Sequence, residues 1–255
     1  MESETIELRM PSVIRYGLDV SYTTNPGRKQ KIYRTQESTY REFITIKGGK
    51  GYCFIKRAFD LVASGLAIIL LSPIFLALSL AVKLTSFGPV LFKDKRIGLN
   101  GKEIKVLKFR TMYADAESNI RKYLTPEQLS AWVRERKLDN DPRITKVGKF
   151  LRKTSLDELP QLFNIFAGTL SLVGPRPITK IELEENYSEY QQCKLIQVKP
   201  GLTGYWQVYG RSDVDYASGE RQKEELAYLP KRSVFFDLKL MAMTVPAVLA
   251  HKGAK

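Results

Sequence analysis

The chain of 255 residues carries 41 Lys and Arg residues against 27 Asp and Glu residues, which gives a formal net charge of +14. Its single histidine, His251, lies near the end of the sequence, and its two cysteines, Cys53 and Cys193, are far apart. These counts argue against a Ser-His-Asp or Cys-His site, a structural zinc site and a disulfide framework. The positive charge predicts an anionic partner, which is nucleic acid, a phosphorylated substrate or an anionic membrane surface.

The composition predicts one folded domain with an extension ahead of it. With 255 residues and 44% apolar residues, the chain is long and apolar enough to bury a core. We place the boundary near residue 50, because residues 1–50 are polar and mixed, with no charged-then-apolar leader. The role of this extension is unknown, and the alternating segment 43–46 indicates a short strand. The folded domain is expected at 51–255.

The strongest physical feature is the segment Leu61–Val82, which has 22 residues and no Asp, Glu, Lys or Arg. A straight helix of that length measures about 33 Å, enough to cross a bilayer core of about 30 Å. Pro73 lies near its middle, and proline removes a backbone hydrogen bond and kinks a helix. The neighbouring Ser72 can donate to a carbonyl that the proline frees. Each half is then about 15 Å long, which reaches the bilayer midplane and returns.

Basic residues flank this segment on both sides. Lys or Arg stands at positions 47, 50, 56 and 57 before it and at 83, 93, 95 and 96 after it. Positive charge marks the cytoplasmic side of a membrane segment, and a re-entrant hairpin at 61–82 keeps both ends on that side. The sequence therefore favours a re-entrant broken helix, and an ordinary kinked transmembrane helix is the alternative.

Positive charge continues beyond the apolar segment. Between Lys83 and Arg110 there are eight Lys or Arg residues and two acidic residues. One interpretation is a surface against anionic headgroups, which attract each nearby Lys or Arg by about 1 kcal/mol. The other is that some of these residues, notably Arg110 in Lys-Phe-Arg-Thr-Met, bind a phosphorylated substrate. The sequence leaves both open.

A helix is predicted from Thr125 to about Lys137. Thr125 is a suitable N-cap, Pro126 is a suitable first residue, and Gln128 completes a capping box.

An acidic pair lies within the segment 151–177. Ser155 to Glu158 matches a capping box, but Pro160 would break the first backbone bonds of that helix, so Asp157 is the alternative N-cap. Either way, Asp157 and Glu158 fall on the first turn of a helix that continues through 162–166. The alternative to a functional role is that both acids only complement the helix dipole.

The surroundings of the acidic pair suit a phosphate together with a divalent cation. Arg152 lies just upstream, and Arg176 stands in the stiff loop Gly-Pro-Arg-Pro at 174–177. Arginine forks grip phosphate oxygens, and a carboxylate can hold Mg²⁺ while substrate phosphates complete its coordination. A carboxylate can also attack phosphorus and form an acyl phosphate. These residues alone leave the functional site and the capping role as alternatives.

The C-terminal third supplies one weaker candidate phosphate ligand, Arg211, which follows the segment Tyr-Trp-Gln-Val-Tyr-Gly. Further on, the segment 234–250 is apolar on one side and is interrupted by charged residues and a proline. Its uncharged part is too short to span a bilayer. We therefore predict an interfacial amphipathic helix there.

Four long segments carry a resemblance to a known family. Between about Lys56 and about Val248 they read, in order, KRAFDLVASGLAIILLSPIFLAL, GPVLFKDKRIGLNGKEIKVLKFRTM, DPRITKVGKFLRKTSLDELPQLFNIFAGTLSLVGPRP and KPGLTGYWQVYGRSD. They resemble the bacterial sugar transferases, which are polyprenyl-phosphate glycosyl-1-phosphate transferases, also called monotopic phosphoglycosyl transferases. Several long motifs in the correct order are far more specific than one short pattern.

The resemblance implies a mostly α fold with minor β structure. Members of the family are monotopic proteins on the cytoplasmic face of the cell membrane, held by a re-entrant helix broken at a Ser-Pro pair, matched here by Ser72 and Pro73. The expected fold is a re-entrant broken helix at 61–82 and a cytosolic and interfacial part at 83–255, with interfacial amphipathic helices. Together these form the catalytic domain, 51–255.

The resemblance also implies a reaction. Members move a sugar-1-phosphate from a UDP-sugar to undecaprenyl phosphate and release UMP, the first membrane step of exopolysaccharide, capsule or O-antigen synthesis. The segment GRSDVDY after Trp206 favours galactose or glucose. The expected partners are the UDP-sugar, undecaprenyl phosphate and inner-membrane lipids, without nucleic acid, while a homodimer or glycan-assembly partners stay open.

The functional residues of the family correspond to residues of this chain. Asp157 matches the nucleophile, which forms a covalent phosphosugar intermediate, and Glu158 matches the residue that helps to hold Mg²⁺ (or Mn²⁺). Arg152 and Arg176 match the phosphate-binding arginines. The chain departs from the family at Thr169, since members usually have Gly-Asp-Met-Ser where this sequence has Gly-Thr-Leu-Ser.

Two other classes of function compete with this interpretation. A membrane-tethered nucleic-acid-binding protein would explain the charge, but the sequence shows no zinc finger or aromatic RNA-binding motif. A non-catalytic scaffold of a glycan assembly complex would show no turnover. The substitution Asp157→Asn separates the first from an enzyme, because nucleic-acid binding would survive it.

Overall fold

A computed structural model describes residues 20–22, 31–33, 44–135, 138, 140–210, 216 and 218–249. The chain divides into two compact units, residues 1–43 and residues 44–255. In the first unit, the described residues form an antiparallel pair of strands, β1 (Val20–Tyr22) and β2 (Lys31–Tyr33).

The strand expected at 43–46 is not present in residues 44–46, and Phe43 lies outside the described residues. The amide of Ile44 donates to the hydroxyl of Tyr190 at 2.8 Å, and the amide of Lys47 donates to the carbonyl of Leu229 at 3.0 Å. The acceptors of these hydrogen bonds are a side chain and the carbonyl of a residue in a 3₁₀ turn, not the backbone of a neighbouring strand.

The apolar segment folds into two helices joined at a sharp bend. α1 spans Lys50–Leu70 and α2 spans Ser72–Thr85, with a bend of 64° between them. The predicted break is confirmed, because Pro73 stands in the first turn of α2 and the Ser72 hydroxyl donates to the Ile69 carbonyl at 2.8 Å. Within the described ranges, no single helix is long and apolar enough to cross a bilayer, whereas this bent pair meets the same criteria of length and composition.

α1 and α2 direct large apolar side chains outward. Leu70 and Leu84 are exposed by 76% and 77%, and many other apolar side chains of the pair are also exposed. The residues that α1 buries are polar, namely Asp60 and Ser64. A contiguous apolar surface of this kind is typical of a membrane or protein interface.

Two side chains near the middle of α1 bind it to the rest of the unit. The guanidinium of Arg57 donates to the carbonyls of Ile165 and Phe166, each at 2.8 Å. The buried carboxylate of Asp60 accepts a hydrogen bond from the amide of Leu172 at 3.0 Å. The helix is therefore attached to two consecutive parts of the chain at nearly the same level.

After α2 the chain forms an antiparallel hairpin and two helices, which are β3 (Leu91–Ile97), β4 (Glu103–Phe109), α3 (Ile120–Tyr123) and α4 (Pro126–Glu135). The predicted capping box of α4 is confirmed. The Thr125 amide donates to Gln128 Oε1 at 3.1 Å, and the Gln128 amide donates to Thr125 Oγ1 at 3.3 Å. Residues 136 and 137, where the helix was expected to end, lie outside the described residues.

The remaining described residues of the unit form helices and a parallel pair of strands. In chain order these elements are α5 (Lys146–Thr154), a 3₁₀ turn (Leu156–Glu158), α6 (Gln161–Ala167), β5 (Ser171–Val173), α7 (Lys180–Asn186), α8 (Glu189–Leu195), β6 (Gly201–Thr203), α9 (Tyr205–Tyr209), α10 (Glu220–Ala227), a 3₁₀ turn (Leu229–Lys231) and α11 (Val234–Leu249). The expected mostly α fold with minor β structure is confirmed.

Three clusters of buried apolar side chains hold these elements together. The largest packs β5 against α7, α8, α10 and α11 and contains Tyr228, Leu229 and Leu240, which are fully buried. The second packs β4 and α6 against α1 and α2, and the third joins α2 to β4 and α5. The bent helix pair is thus part of the same packed unit as the elements that carry the acidic pair.

A buried ion pair fastens α11 to the start of α1. Lys56 Nζ lies 2.6 Å from Asp237 Oδ2, and these side chains are 12% and 10% exposed. The hydroxyls of Tyr52 and Tyr228 also donate to this carboxylate, each at 2.8 Å. The helix predicted at 234–250 is confirmed as far as Leu249, and its location at a membrane interface stays a prediction.

Candidate active site

Asp157 and Glu158 lie on a separate turn rather than at the start of a helix. Ser155 closes α5 in the left-handed conformation, with φ of 57°, and its side chain makes no capping hydrogen bond. α6 begins only at Gln161, with Pro160 at its N-cap. The expected caps at Ser155 or Asp157 are therefore wrong, because the left-handed residue ends one helix and the proline delays the next.

The pKa of the Asp157 carboxyl is higher in the folded protein than that of an aspartate in water, so its protonated form is favoured. Burial and, after it, the negative charge of Glu158 raise the pKa of the Asp157 carboxyl to about 6, against the opposing influence of Lys108 and Arg152. Glu158 itself is more exposed, by 42%, and lies 3.2 Å from Lys108 Nζ. The turn thus presents one sheltered and one accessible carboxyl group beside two cations.

Arg152 approaches Asp157 from the last turn of α5. Its Nε donates to the hydroxyl of Thr111 at 2.9 Å, and burial lowers the pKa of its guanidinium, which stays charged. α5 lies very close to Thr111, because a Cβ atom at Gly148 would lie 1.9 Å from the Thr111 carbonyl oxygen. Glycine at position 148 therefore permits the approach that places Arg152 near the acidic pair.

A second, buried ion pair lies behind Arg152. Arg143 donates from Nε to Asp141 Oδ1 at 2.9 Å and from its terminal nitrogen to Oδ2 at 2.6 Å. The guanidinium also lies over the ring of Trp132, 5.1 Å from its centroid. Asp141 raises and Arg143 lowers the pKa of Arg152, so the electrostatic influences of the two partners on Arg152 oppose each other.

Arg176 belongs to a different group of contacts. Its side chain lies 3.5 Å from Glu182 Oε1 and over the ring of Trp206, and its amide donates to Glu225 Oε2 at 2.9 Å. In the part of the chain that the structure describes, no hydrogen bond or ion pair joins it to Asp157. The structure therefore brings Arg152, Asp157 and Glu158 together and places Arg176 in a separate polar group.

The loop that carries Arg176 depends on close backbone contact. A Cβ atom at Gly174 would lie 2.5 Å from the Lys199 carbonyl oxygen, and one at Gly204 would lie 2.0 Å from the Gly174 carbonyl oxygen. The glycines of the two motifs Val-Gly-Pro-Arg-Pro and Lys-Pro-Gly-Leu-Thr-Gly thus let the loops after β5 and around β6 touch.

Of the two other predicted phosphate ligands, the structure describes Arg110, which is engaged with the backbone of another loop. Arg110 is buried, and its guanidinium donates to the carbonyls of Phe87 and Ser86 at 2.9 and 2.7 Å. It therefore fixes the loop that follows α2. Arg211 lies outside the described residues, and a phosphate-binding role of either arginine stays a prediction.

The donor groups present suit a cation that keeps substrate phosphates as ligands. Among the described residues there is no group of three or more His, Cys, Asp or Glu side chains that could hold a metal ion. Mg²⁺ characteristically uses one or two carboxylates together with substrate phosphates. The accessible carboxylate of Glu158 fits that requirement, and a cation there would offset the negative charge that, after burial, raises the pKa of Asp157.

Thr169, where the sequence departs from the pattern expected from the resemblance, takes part in a polar contact. Its hydroxyl donates to the Asn164 carbonyl at 3.2 Å and accepts from Asn164 Nδ2 at 3.1 Å. Asn164 in turn binds the backbone of β4, donating to the Lys105 carbonyl and accepting from the Leu107 amide, each at 2.8 Å. Threonine at this position thus supports the contact between α6 and β4.

Sequence reasoning missed Lys108, Thr111 and the Asp141–Arg143 pair. All of them lie in the quoted segments ending in KFRTM or beginning with DPRIT, so the motifs contained the signal. Nothing in their local spacing assigns them to one site, because β4, the loop before α5 and the acidic turn meet only in the folded unit.

A sheltered carboxyl group, an accessible carboxyl group and two adjacent cations define an enzyme site suited to phosphorylated substrates. Comparison with a family model identifies the family of enzymes to which the chain belongs. A family model described as bacterial sugar transferase matches residues 51–251. The chain belongs to the bacterial sugar transferase family, and the resemblance seen in the sequence is confirmed.

Several relatives agree with this assignment. The chain is 43% identical over 201 residues to the exopolysaccharide production protein ExoY of Rhizobium meliloti (strain 1021), covering 78% of this chain and 87% of ExoY. It is 40% identical over 203 residues to an undecaprenyl-phosphate galactose phosphotransferase of Salmonella typhimurium (strain LT2), covering 79% and 42% of the two chains. It is also 40% identical over 205 residues to the UDP-glucose:undecaprenyl-phosphate glucose-1-phosphate transferase of Escherichia coli (strain K12), covering 78% and 41%. The chain thus spans most of ExoY and less than half of the two longer relatives.

Proposed function

We propose that this chain is a phosphoglycosyl transferase that moves a sugar-1-phosphate from a UDP-sugar to undecaprenyl phosphate and releases UMP. The observation that carries the proposal is the sheltered carboxyl group of Asp157 beside Arg152, Lys108 and Glu158. Family membership and the names of two relatives support the same chemistry. One relative is named for galactose and the other for glucose, so these two sugars are the first candidates.

The reaction proceeds by two displacements at one phosphorus atom. A carboxylate oxygen of Asp157 bonds to the phosphorus that bears the sugar, and the bond from that phosphorus to the UMP oxygen breaks, with the electron pair leaving on UMP. An oxygen of undecaprenyl phosphate then attacks the same phosphorus and releases the Asp157 carboxylate. The product is a sugar joined to undecaprenol through a diphosphate.

The residues around Asp157 have distinct tasks in this scheme. Arg152, oriented by Thr111, stabilises negative charge on the phosphoryl oxygens, as does the ammonium group of Lys108. Mg²⁺ (or Mn²⁺) held by Glu158 would supply further charge neutralisation to the leaving phosphate. No step requires a histidine, which agrees with a sequence whose single histidine is His251.

The test of this proposal is release of UMP by the purified full chain in detergent. We expect UMP when Mg²⁺, undecaprenyl phosphate and either UDP-galactose or UDP-glucose are present, with a panel of other UDP-sugars identifying the preferred donor. A protein that releases no UMP with any donor is better explained as a scaffold. Salt-sensitive binding of DNA or RNA without turnover would favour the nucleic-acid alternative.

We further propose that the bent pair α1–α2 is a re-entrant hairpin in the cytoplasmic face of the cell membrane. The outward apolar side chains of both helices, the 64° bend and the basic residues on both flanks support this location. A hairpin of this kind keeps its two ends on one side of the bilayer. It also places the acidic turn, which packs on the same helices through α6, near a lipid phosphate.

Labelling of cysteines at the two ends tests the hairpin. Cys53 is exposed near the start of α1, and Phe87 is 96% exposed just after α2. With Cys193→Ser as background, Cys53 alone and Phe87→Cys combined with Cys53→Ser each present one thiol. We expect an impermeant maleimide to label both from the cytoplasmic side in inverted vesicles and neither in intact spheroplasts. Opposite sidedness of the two thiols would replace the hairpin with a spanning helix.

A further inference from the structure

The backbone amide of Arg176 donates a hydrogen bond to a buried side chain of α10. In the sequence Pro175-Arg176-Pro177, neither proline carries an N–H group, so the amide of Arg176 is the one backbone donor of the tripeptide. Its acceptor is Oε2 of Glu225, at 2.9 Å. This hydrogen bond is part-buried, and a sheltered backbone donor without an acceptor is costly. The carboxyl group therefore helps to hold the loop, together with the Gly201 amide, which donates to the Pro175 carbonyl at 2.8 Å.

Glu225 is suited to hold that position. It lies on α10, is 2% exposed, and its other carboxyl oxygen has no hydrogen-bond partner among the described residues. Burial raises its pKa to about 7, against the opposing influence of Arg176 and Arg221. The carboxyl group therefore exists in its neutral form as well as its charged form near neutral pH, and both forms can accept the hydrogen bond.

The same helix also braces the side chain of Arg176. Arg221, one turn before Glu225, lies 4.4 Å from the ring centroid of Trp206 and 4.1 Å from that of Tyr216. The guanidinium of Arg176 lies 5.8 Å from the same Trp206 ring. α10 thus supports the backbone of residue 176 through Glu225 and its side chain through the Arg221–Trp206 stack.

We propose that Glu225 is a positioning residue of the transferase, which holds the Pro-Arg-Pro loop so that Arg176 reaches a phosphate of the UDP-sugar. This inference rests on the proposed function. Glu225 does not touch the substrate in this scheme and acts through the backbone of Arg176. Removal of its acceptor would let the loop shift, and a guanidinium displaced by a fraction of its length loses bidentate contact with phosphate.

The experiment compares four variants in the full chain, with KM for the UDP-sugar, kcat and thermal unfolding measured for each. Glu225→Leu removes the acceptor, and Glu225→Asp keeps a carboxyl group but shortens its reach. Glu225→Gln keeps an acceptor oxygen at full reach and matches the neutral form. The control is Gln222→Leu, which removes a similarly buried side chain of α10 that donates to the Asn186 and Tyr216 carbonyls and not to the loop.

We expect Glu225→Leu and Glu225→Asp to raise KM by about tenfold or more. A tenfold change in affinity corresponds to the free energy of roughly one hydrogen bond. Glu225→Gln should stay within about threefold of wild type, and Gln222→Leu should lose stability without a change in KM. In an Arg176→Ala background, Glu225→Leu should add little, because the group that it positions is absent. Glu225→Asp provides the same comparison if the leucine variant does not fold.

Two results would overturn the proposal. One is a wild-type KM in both Glu225→Asp and Glu225→Leu, which would reduce Glu225 to a stabilising residue. The other is an undiminished effect of Glu225→Leu in the Arg176→Ala background, which would show that it acts elsewhere. A failure of the proposed function is distinguishable, because the wild-type protein itself would then release no UMP, and that result rejects both proposals.

Discussion

Replacement of Asp157 by asparagine is expected to reduce UMP release by about 10³-fold or more while leaving the fold intact. Asparagine has nearly the same shape, but its amide oxygen is a far poorer nucleophile than a carboxylate. The substitution also removes a carboxyl group whose pKa is raised first by burial and then by Glu158, so the neutral amide removes a negative charge that its surroundings disfavour. We therefore expect thermal unfolding at or above the wild-type temperature.

The sharpest measurement for this variant is isotope exchange. Without undecaprenyl phosphate, the wild-type enzyme should exchange labelled UMP into the UDP-sugar, because the first displacement is reversible and needs no lipid acceptor. Asp157→Asn should abolish the exchange. The matched control is Asp115→Asn, which changes a carboxyl group that binds Lys122 and Tyr123 outside the acidic turn. Exchange that persists in Asp157→Asn would remove Asp157 from the role of nucleophile.

Replacement of Asp237 by asparagine is expected to lower the free energy of unfolding by about 3 kcal/mol or more. The Asp237 carboxylate accepts hydrogen bonds from Lys56, Tyr52 and Tyr228, and the Lys56 side chain is 12% exposed. A neutral amide leaves that ammonium without a counter-charge in a low-dielectric environment. Chemical denaturation in detergent, with activity as a second probe of folding, measures the loss.

The source of that loss can be separated from a general effect of mutation. The double variant Lys56→Met with Asp237→Leu removes both charges, so it should be more stable than the sum of the single losses predicts. Glu103→Gln serves as the control, because it breaks the exposed ion pair with Lys95 and should cost less than about 1 kcal/mol. If the Asp237→Asn variant is as stable as Glu103→Gln, the Lys56 ammonium group is hydrated in the variant, and the predicted loss of stability is contradicted.

The sequence correctly predicted features that depend only on residues within one helical turn, namely a helix break and a helix cap. Ser72 and Pro73 break the helix where the sequence places the break, because the proline lacks an amide in whichever fold it occurs. The capping box at Thr125 formed for the same reason, since both partners lie within one turn. At Ser155 the same pattern misled, because a left-handed residue and the following proline divided the segment into a turn and a helix.

The sequence singled out Asp157, Glu158 and Arg152, whose catalytic roles stay predictions, but it did not reveal the residues that contact them. Asp157, Glu158 and Arg152 are adjacent in sequence, and the resemblance to a family assigned their roles. The contacts of Glu158 with Lys108 and of Arg176 with Glu225 join residues 50 and 49 positions apart. Such pairs depend on the packing of elements that are distant in sequence: β4 with the acidic turn, and the loop after β5 with α10. The residue pattern within one segment does not encode this packing.

The attachment of α1 through Arg57 and Asp60 has a geometric consequence. Arg57 holds the end of α6, the helix that follows the acidic turn, and Asp60 holds β5, the strand that leads into the Arg176 loop. The helix that follows the acidic turn and the strand that leads into the Arg176 loop are therefore attached to one turn of α1. If α1 lies in a membrane as proposed and shifts in depth, the acidic turn and the Pro-Arg-Pro loop should move with it together, and the spacing between them should be preserved.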